Sequence, residues 1–390
     1  MDDCQQCQTV YKNKPIVPDH SSNPPLEFFR ELAAHFPLHG TLCDAKRYGS
    51  GHINDTFAVS FDQAGIRVRY ILQHINQSVF KNVPHLMENI SRVIAHLAAT
   101  MDGTDHRRVL TLIPAHNGSS FYKTQAGEFW RVYTFIEGAR AYDQSENLRQ
   151  TFESARAFGG FQAALADLSG PPLHETIPHF HDTPKRFEAL QLAAAADVAG
   201  RRKEVLSELD FAFQREAETG RLLNLARAGD IPQRVTHNDT KLNNVMLDDK
   251  TGKGICVVDL DTVMPGLSLY DFGELVRFGA NAAAEDEPEL LKVDVALPAF
   301  DAIVQGYIAG VGSILTTAEW DHLIDAAKLM TYENGIRFLT DYLQGDIYFK
   351  IRYSNHNLVR ARNQLRLVDR MEAAAGAMAA IIRQHRPHNL

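Results

Sequence analysis

Cysteine is scarce in this chain of 390 residues: Cys4, Cys7, Cys43 and Cys256 are all there is. Four cysteines at those spacings make no disulfide framework. Cys4 and Cys7 form a CxxC, but no second pair of ligands follows at zinc spacing, so the pair reads as inert. A surplus of basic residues is also missing. Lys and Arg number 40 against 48 Asp and Glu, a net charge of −8. Nucleic acid is thereby excluded as the main partner, because such binders present a basic field. No apolar run reaches the roughly eighteen residues of a membrane span, so no membrane partner is expected. The opening Met-Asp-Asp-Cys is acidic and polar, unlike a secretory signal, and a cytoplasmic location is expected. Internal repeats and long low-complexity segments are absent too.

What is present is a globular composition, 45% hydrophobic and 23% charged, in a chain long enough to bury a core without disulfides or structural metal. Residues 1–25 are polar and rich in Pro and Ser, which predicts a flexible tail. Helical periodicity marks 26–36. Residues 56–60 and 67–72 read as strands around a turn at Gly65. A helix is expected over 83–99, with further strands at 109–113 and 129–136. From Gln144 the texture turns helical, over 145–168 and 185–229. A short β interlude follows at 233–262, and the remainder is again mostly helical. The expected fold class is α+β and bilobal. It comprises a small mixed N-lobe with an antiparallel sheet over 26–137 and a larger, mostly helical C-lobe over 138–390.

The most informative stretch is Arg234-Val-Thr-His-Asn-Asp-Thr-Lys-Leu-Asn-Asn244, of the form H-x-D-x-x-x-x-N. A turn follows, then an apolar strand, Ile255-Cys-Val-Val258, that runs into Asp259. Phosphoryl transfer accounts for these residue types at this spacing. The reaction needs a carboxylate to take the acceptor hydroxyl's proton and oxygen ligands for Mg²⁺. Asp239 suits the first role. Asn244 and Asp259 suit the second, since Mg²⁺ prefers hard oxygen donors. His237 is expected to brace the loop.

Two further aspartates need sorting. Asp271-Phe272-Gly273 spells the metal motif of protein kinases, yet Asp259 already stands where that motif belongs. Asp271 is therefore read as a structural tie beneath the loop. Asp261 lies two residues past Asp259 and shares its face if the strand continues. It approaches metal or substrate, or caps the next turn.

In the small lobe, Tyr48-Gly-Ser-Gly-His-Ile-Asn54 lies between strands. Gly49, Ser50 and Gly51 could bring backbone N–H groups onto phosphates, or simply form a glycine hairpin. The next strand should carry the lysine that holds nucleotide phosphates, but Gln73 occupies that position. Lys81 is a candidate replacement. Glu88, the usual partner of such a lysine, reads as part of a solvated helix face. Around Phe135 and Glu137 an extended backbone could pair with adenine edge to edge, or be an ordinary strand exit. Farther on, Arg337 and Asp341 share a helix face. From spacing alone they form an intrahelical ion pair beside a core tyrosine, Tyr348. His179-Phe-His181-Asp182 lacks a third metal ligand and reads as a loop feature.

Seven stretches together carry a resemblance: YGSGHIN (48–54), RYILQHIN (69–76), IPHFHDTPKRFE (177–188), RVTHNDTKLNN (234–244), DLDTVMPG (259–266), RFLTDYLQGDIYF (337–349) and HNLVRARNQ (356–364). With them the chain resembles the aminoglycoside phosphotransferase and choline kinase superfamily, which has a protein-kinase-like fold. Within it, the chain is similar to the N-acetylhexosamine 1-kinases, from about residue 27 to the end. That family also has glutamine where kinases place lysine. The resemblance implies transfer from ATP, with Mg²⁺, to the anomeric hydroxyl of N-acetylglucosamine or N-acetylgalactosamine, giving the α-1-phosphate. It implies Asp239 as base and Asn244 and Asp259 as metal ligands. His52, Arg337 and Tyr348 match positions that contact the sugar, and Asp261 is carried with them as a substrate-facing residue. A monomer or weak dimer is expected. The alternatives are a kinase of the same fold for another amino sugar, an aminoglycoside, choline or homoserine, and a non-catalytic binder of sugar or nucleotide.

Overall fold

A computed structural model describes residues 24–49, 53–101 and 105–386. Cys4, Cys7, Ser50, Gly51 and His52 lie outside the described residues. The chain divides into two compact units. One comprises the chain up to Asn76 with Leu112–Phe135, the other Gln77–Thr111 with the chain from Ile136 onward.

The smaller unit contains helix α1 (Leu26–Ala33) and strands β1 (Thr41–Arg47), β2 (Asp55–Gln63), β3 (Ile66–His74), β4 (Leu112–Ile113), β5 (Tyr122–Lys123) and β6 (Phe129–Thr134). They form one antiparallel sheet in the order β1-β2-β3-β6-β4, with β5 also paired to β6. The β2–β3 turn is Ala64-Gly65, with φ of +56° and +89°. Such left-handed pairs match the twist of a hairpin's strands. Alternation along the strands sends Phe57, Val59, Phe61, Leu72, Trp130 and Val132 to one face, where they pack on Phe29, Leu32 and Phe36. Strand β1 carries no readable period, because it is an edge strand that buries only Leu42. The strand expected over 109–113 shrinks to Leu112–Ile113, since His106–Arg108 form a 3-10 turn capped by Asp105.

The larger unit begins with helix α2 (Val83–Thr100) and the short strand β7 (Ala139–Arg140). Helices α3 (Leu148–Ala164), α4 (Thr183–Ala196), α5 (Leu206–Phe213), α6 (Glu216–Thr219) and α7 (Arg221–Ala228) follow. Then come β8 (Arg234–Thr236), β9 (Val245–Asp248), β10 (Gly254–Val257) and β11 (Met264–Gly266). Helices α8 (Ser268–Gly279), α9 (Leu297–Val311), α10 (Thr317–Asp321), α11 (Leu323–Gln344) and α12 (His356–His385) complete it. The small sheets are β10-β9-β7 and β11-β8. Helix α2, expected in the N-lobe, packs in this unit. Asn89 donates its amide to the His174 and Val263 carbonyls and accepts the His174 N–H, contacts from distant sequence that periodicity does not reveal. The helical stretch over 185–229 is broken where Asp197 and Gly200 turn left-handed.

Glycine sets two close helix approaches. A Cβ at Gly306 of α9 would collide with the Phe152 carbonyl of α3. One at Gly273 of α8 would collide with the Ala326 carbonyl and Met330 of α11. Gly273 thus serves packing, and its position in the Asp-Phe-Gly triplet reflects how closely α8 lies on α11. Among the described residues no helix is long and apolar enough to cross a membrane.

Candidate active site

Strand β8 leads into the loop that carries Asp239, and the loop's shape comes from bonds to its backbone. Asn238 adopts φ +64°, a conformation asparagine tolerates better than most residues. Fully buried Asp271, near the start of α8, accepts the His237 N–H at 2.9 Å and the Asn238 N–H at 2.7 Å. Gln162 of α3 donates to the same carboxylate, and the Thr240 hydroxyl donates to the Asp271 carbonyl. Asp271 is therefore the tie beneath the loop. His237 accepts the Asp239 N–H on Nδ1 and donates from Nε2 to the Val258 carbonyl at 2.9 Å. Both ring nitrogens are thus engaged with the loop and the hairpin, which leaves His237 a brace.

The Asp239 carboxylate lies 2.7 Å from the Lys241 ammonium. Burial raises the Asp239 pKa, but the Lys241 charge and hydrogen bond outweigh it, so the group stays below the ordinary carboxylate value. Lys241 is driven the other way, since burial lowers its pKa and Asp239 more than compensates. Both therefore remain charged. The Asn244 amide donates to the Asp239 carbonyl at 2.8 Å and to its carboxylate at 3.2 Å. With its nitrogen held there, the Asn244 side-chain oxygen is directed away from Asp239.

The hairpin β9–β10 brings Asp259 back to this loop. The Val258 N–H bonds to the Asn244 carbonyl at 2.9 Å, so Asn244 and Asp259 are backbone neighbours. Asp259 is exposed, with φ +59°. The strand does not continue past it, because the chain turns into a 3-10 segment, Leu260–Thr262. The expectation that Asp261 shares a face with Asp259 therefore fails. Asp261 is 2% exposed, and its carbonyl accepts the Thr176 hydroxyl.

A second, fully buried prop stands behind the loop. His181 donates from Nε2 to the Asn238 carbonyl at 3.0 Å and from Nδ1 to Glu333 at 2.8 Å. Thr183 donates to the other Glu333 oxygen. Burial lowers the His181 pKa, but the Glu333 carboxylate prevails and raises it. Through the bond from His181 to the Asn238 carbonyl, the His179–Asp182 segment supports the loop.

Arg337 on α11 does not pair with Asp341. It bonds Asn334 at 3.5 Å and lies 5.5 Å from the Phe180 ring and 5.7 Å from that of Phe349. Asp341 instead accepts the N–H groups of Ile347, Tyr348 and Phe349 and the Asn357 amide. Helix α11 ends at Gln344, because Gly345 turns left-handed at φ +93°. Tyr348 is thus no core residue but lies on the following loop, 59% exposed. Arg186 of α4 adjoins this place. Burial pushes its pKa down, and the like charge of Arg337 pushes it the same way. From Arg337, bonds run through Asn334 and Glu274 to buried Arg277, whose charge acts on Asp239 and Lys241.

Residues 44–301 match the model of a phosphotransferase enzyme family. The chain belongs to that phosphotransferase family. Its fold is shared by solved structures at low identity. A spectinomycin phosphotransferase in complex with ADP and spectinomycin is 13% identical, with 90% of this chain and 98% of that one covered and a TM-score of 0.55. An aminoglycoside phosphotransferase from Alicyclobacillus acidocaldarius is 11% identical over 96% and 99%, with a TM-score of 0.59. A choline kinase from Cryptosporidium parvum is 13% identical over 92% and 98%, with a TM-score of 0.55. The fold of this phosphotransferase is accordingly the kinase-like α+β architecture expected above.

In the smaller unit of the phosphotransferase, Gly49 is exposed with φ +77°. The Gln73 amide is engaged on both sides, donating to Thr56 Oγ1 and accepting from Arg131 Nε, each at 2.9 Å. The Phe135 N–H bonds to the Arg69 carbonyl, and its ring lies 3.6 Å from the Arg69 guanidinium. In the larger unit, the Glu137 carbonyl accepts Arg107. Lys81 is exposed just before α2. Glu88 pairs with His174 at the surface, 3.0 Å away. Sequence reasoning passed over Lys241, Glu333 and Arg186, and it read His181 only as part of a loop. Lys241 stood two residues from Asp239 and was legible. The His181–Glu333 pair spans 152 residues and left no local signal.

Proposed function

We propose that this phosphotransferase moves the γ-phosphoryl group of ATP to the anomeric hydroxyl of an N-acetylhexosamine, N-acetylglucosamine or N-acetylgalactosamine, giving the α-1-phosphate. One observation carries the chemistry: an ionised aspartate, Asp239, held between Lys241 and Asn244 on a loop anchored from below by Asp271. Its role is to accept the proton of the attacking hydroxyl. The sugar oxygen then bonds to the γ-phosphorus as the bond to the β-phosphate oxygen breaks. Phosphoryl transfer is largely dissociative and asks more for orientation than for basicity, so a pKa below the ordinary value suits the task.

Asn244 and Asp259 fit a divalent cation. One amide oxygen and one carboxylate from adjoining segments are a hard donor set that leaves positions for phosphate and water. They would hold Mg²⁺, which when bound neutralises charge on the phosphates. Gly49, Ser50 and Gly51 are assigned to the phosphates, and the backbone around Phe135 and Glu137 to the base. His52, Arg337 and Tyr348 are assigned to the sugar, and buried Asp261 is left out of that set.

The choice of acceptor rests on the motif resemblance, and the cationic pair Arg186 and Arg337 supports it. Two guanidiniums beside exposed Tyr348 suit a neutral sugar with carbonyl and hydroxyl acceptors, and they repel a cation. An aminoglycoside or choline, the acceptor types in the names of the structural neighbours, is the second reading on grounds of fold. ADP release measured against N-acetylglucosamine, N-acetylgalactosamine, spectinomycin and choline decides between them. Phosphorus NMR of the product then reports the phosphorylated position. Turnover with choline but neither sugar overturns the proposal.

A further inference from the structure

The sheet of the smaller unit has two unlike faces. One is the apolar core against α1. On the other, the cross-strand register aligns two rows: Ala58, Ile71 and Tyr133, and beside it Thr56, Gln73 and Arg131. The second row is a chain of hydrogen bonds with a single direction. Arg131 Nε can only donate, so its bond fixes the Gln73 oxygen toward β6 and the Gln73 nitrogen toward β2. Thr56 Oγ1 accepts that nitrogen, and its own hydroxyl hydrogen is left to donate onward. Arg131 is 1% exposed, whereas Gln73 and Thr56 are half-buried. Thr56 is the second residue of β2, and its carbonyl accepts the Tyr48 N–H.

We infer that Arg131, Gln73 and Thr56 together replace the absent phosphate-holding lysine: the buried guanidinium supplies the charge, and the Thr56 hydroxyl and Gln73 amide present it to a nucleotide phosphate oxygen. This rests on the nucleotide-binding part of the reading above. A buried charge at the head of a hydrogen-bond chain polarises each bond after it, and the low local dielectric preserves the effect. Such a chain has the polarity an anion requires, positive end outward. It explains why glutamine, which both accepts and donates, stands where a lysine is expected. A lysine there would face Arg131 with like charge. In the neighbouring row Ala58 and Ile71 are partly exposed and offer apolar contact for the base on the same face.

The test is binding of ADP and of adenosine to the full-length protein, by calorimetry without acceptor. Thr56→Val keeps shape and removes the terminal donor. Gln73→Leu cuts the chain in the middle, and Arg131→Met removes the charge. Each is expected to weaken ADP about tenfold, the effect of losing one hydrogen bond to a charged group. Adenosine affinity is expected to stay within about twofold, and Thr56→Ser to bind ADP as the parent does. Unchanged ADP affinity in Thr56→Val and Gln73→Leu overturns the inference. So does a parallel loss of adenosine, which marks a packing role. If Arg131→Met does not fold, those two variants still decide. A parent protein that binds neither ADP nor ATP overturns the kinase reading itself, a result distinct from any difference among variants.

Discussion

The ammonium of Lys241 stands 2.7 Å from the carboxylate of Asp239, two residues away on the same loop. Asp239→Asn is expected to lower kcat by about 10²- to 10⁴-fold, the usual contribution of a positioned base, while ADP affinity is retained. Lys241→Met removes the largest opposition to burial at Asp239 and leaves only the weaker pull of more distant charge such as Arg277, and burial raises a carboxylate's pKa. The acidic limb of the kcat–pH profile therefore moves upward in that variant. An unshifted limb would dissociate Lys241 from the base.

Asp271 holds two backbone N–H groups of the same loop. Asp271→Asn replaces one acceptor oxygen with a donor facing a donor, in a fully buried place. Loss of stability by about 3 kcal/mol is expected in urea unfolding, with turnover falling in the fraction that stays folded. If stability is unchanged, Asp271 is not the tie described here.

His181 and Glu333 make stability depend on pH in a defined window. The His181 pKa is raised above 6.5, so its contribution is whole below that value and is lost as pH rises through the folded pKa. The Glu333 pKa is lowered below 4.5, so its share is whole above that value and is lost as pH falls through the folded pKa. The stability difference between the parent and Glu333→Gln is therefore largest between pH 4.5 and 6.5. There it should reach about 3 kcal/mol, as for a broken buried pair. Thermal unfolding across pH measures it, and a flat difference would contradict the pairing.

Asp341 shapes the loop that carries Tyr348. Asp341→Ala strips the acceptor from three consecutive N–H groups. The expected result is a rise in acceptor KM of about tenfold with the KM for ATP unchanged. Equal effects on both substrates would place this loop outside the acceptor's reach.

Some of this was legible from the residues in order. The loop from His237 to Asn244 packs its chemistry into eight positions, and its neighbours in sequence are its neighbours in space. The hairpin that follows is equally local, so Asp259 could be placed by counting. Asp271 could be read as a tie for the same reason: the hairpin already supplied an aspartate as candidate metal ligand, and Asp271 does hold the loop's N–H groups. The Arg337–Asp341 ion pair is where local reasoning misled. Two residues four apart on a helix can meet, but Asp341 had nearer and more numerous partners in a loop whose path the helical period does not describe.

The sequence by itself determined the fold class, the elements with a strong period, and the motif that names the chemistry, because these depend on contacts between residues close along the chain. Tertiary structure alone decided that α2 packs in the larger unit, that His181 and Glu333 support the loop, and that Gln73 lies between Arg131 and Thr56. Those choices depend on which distant groups share one buried space. There a charge or an amide is stable only where its partners are brought to it.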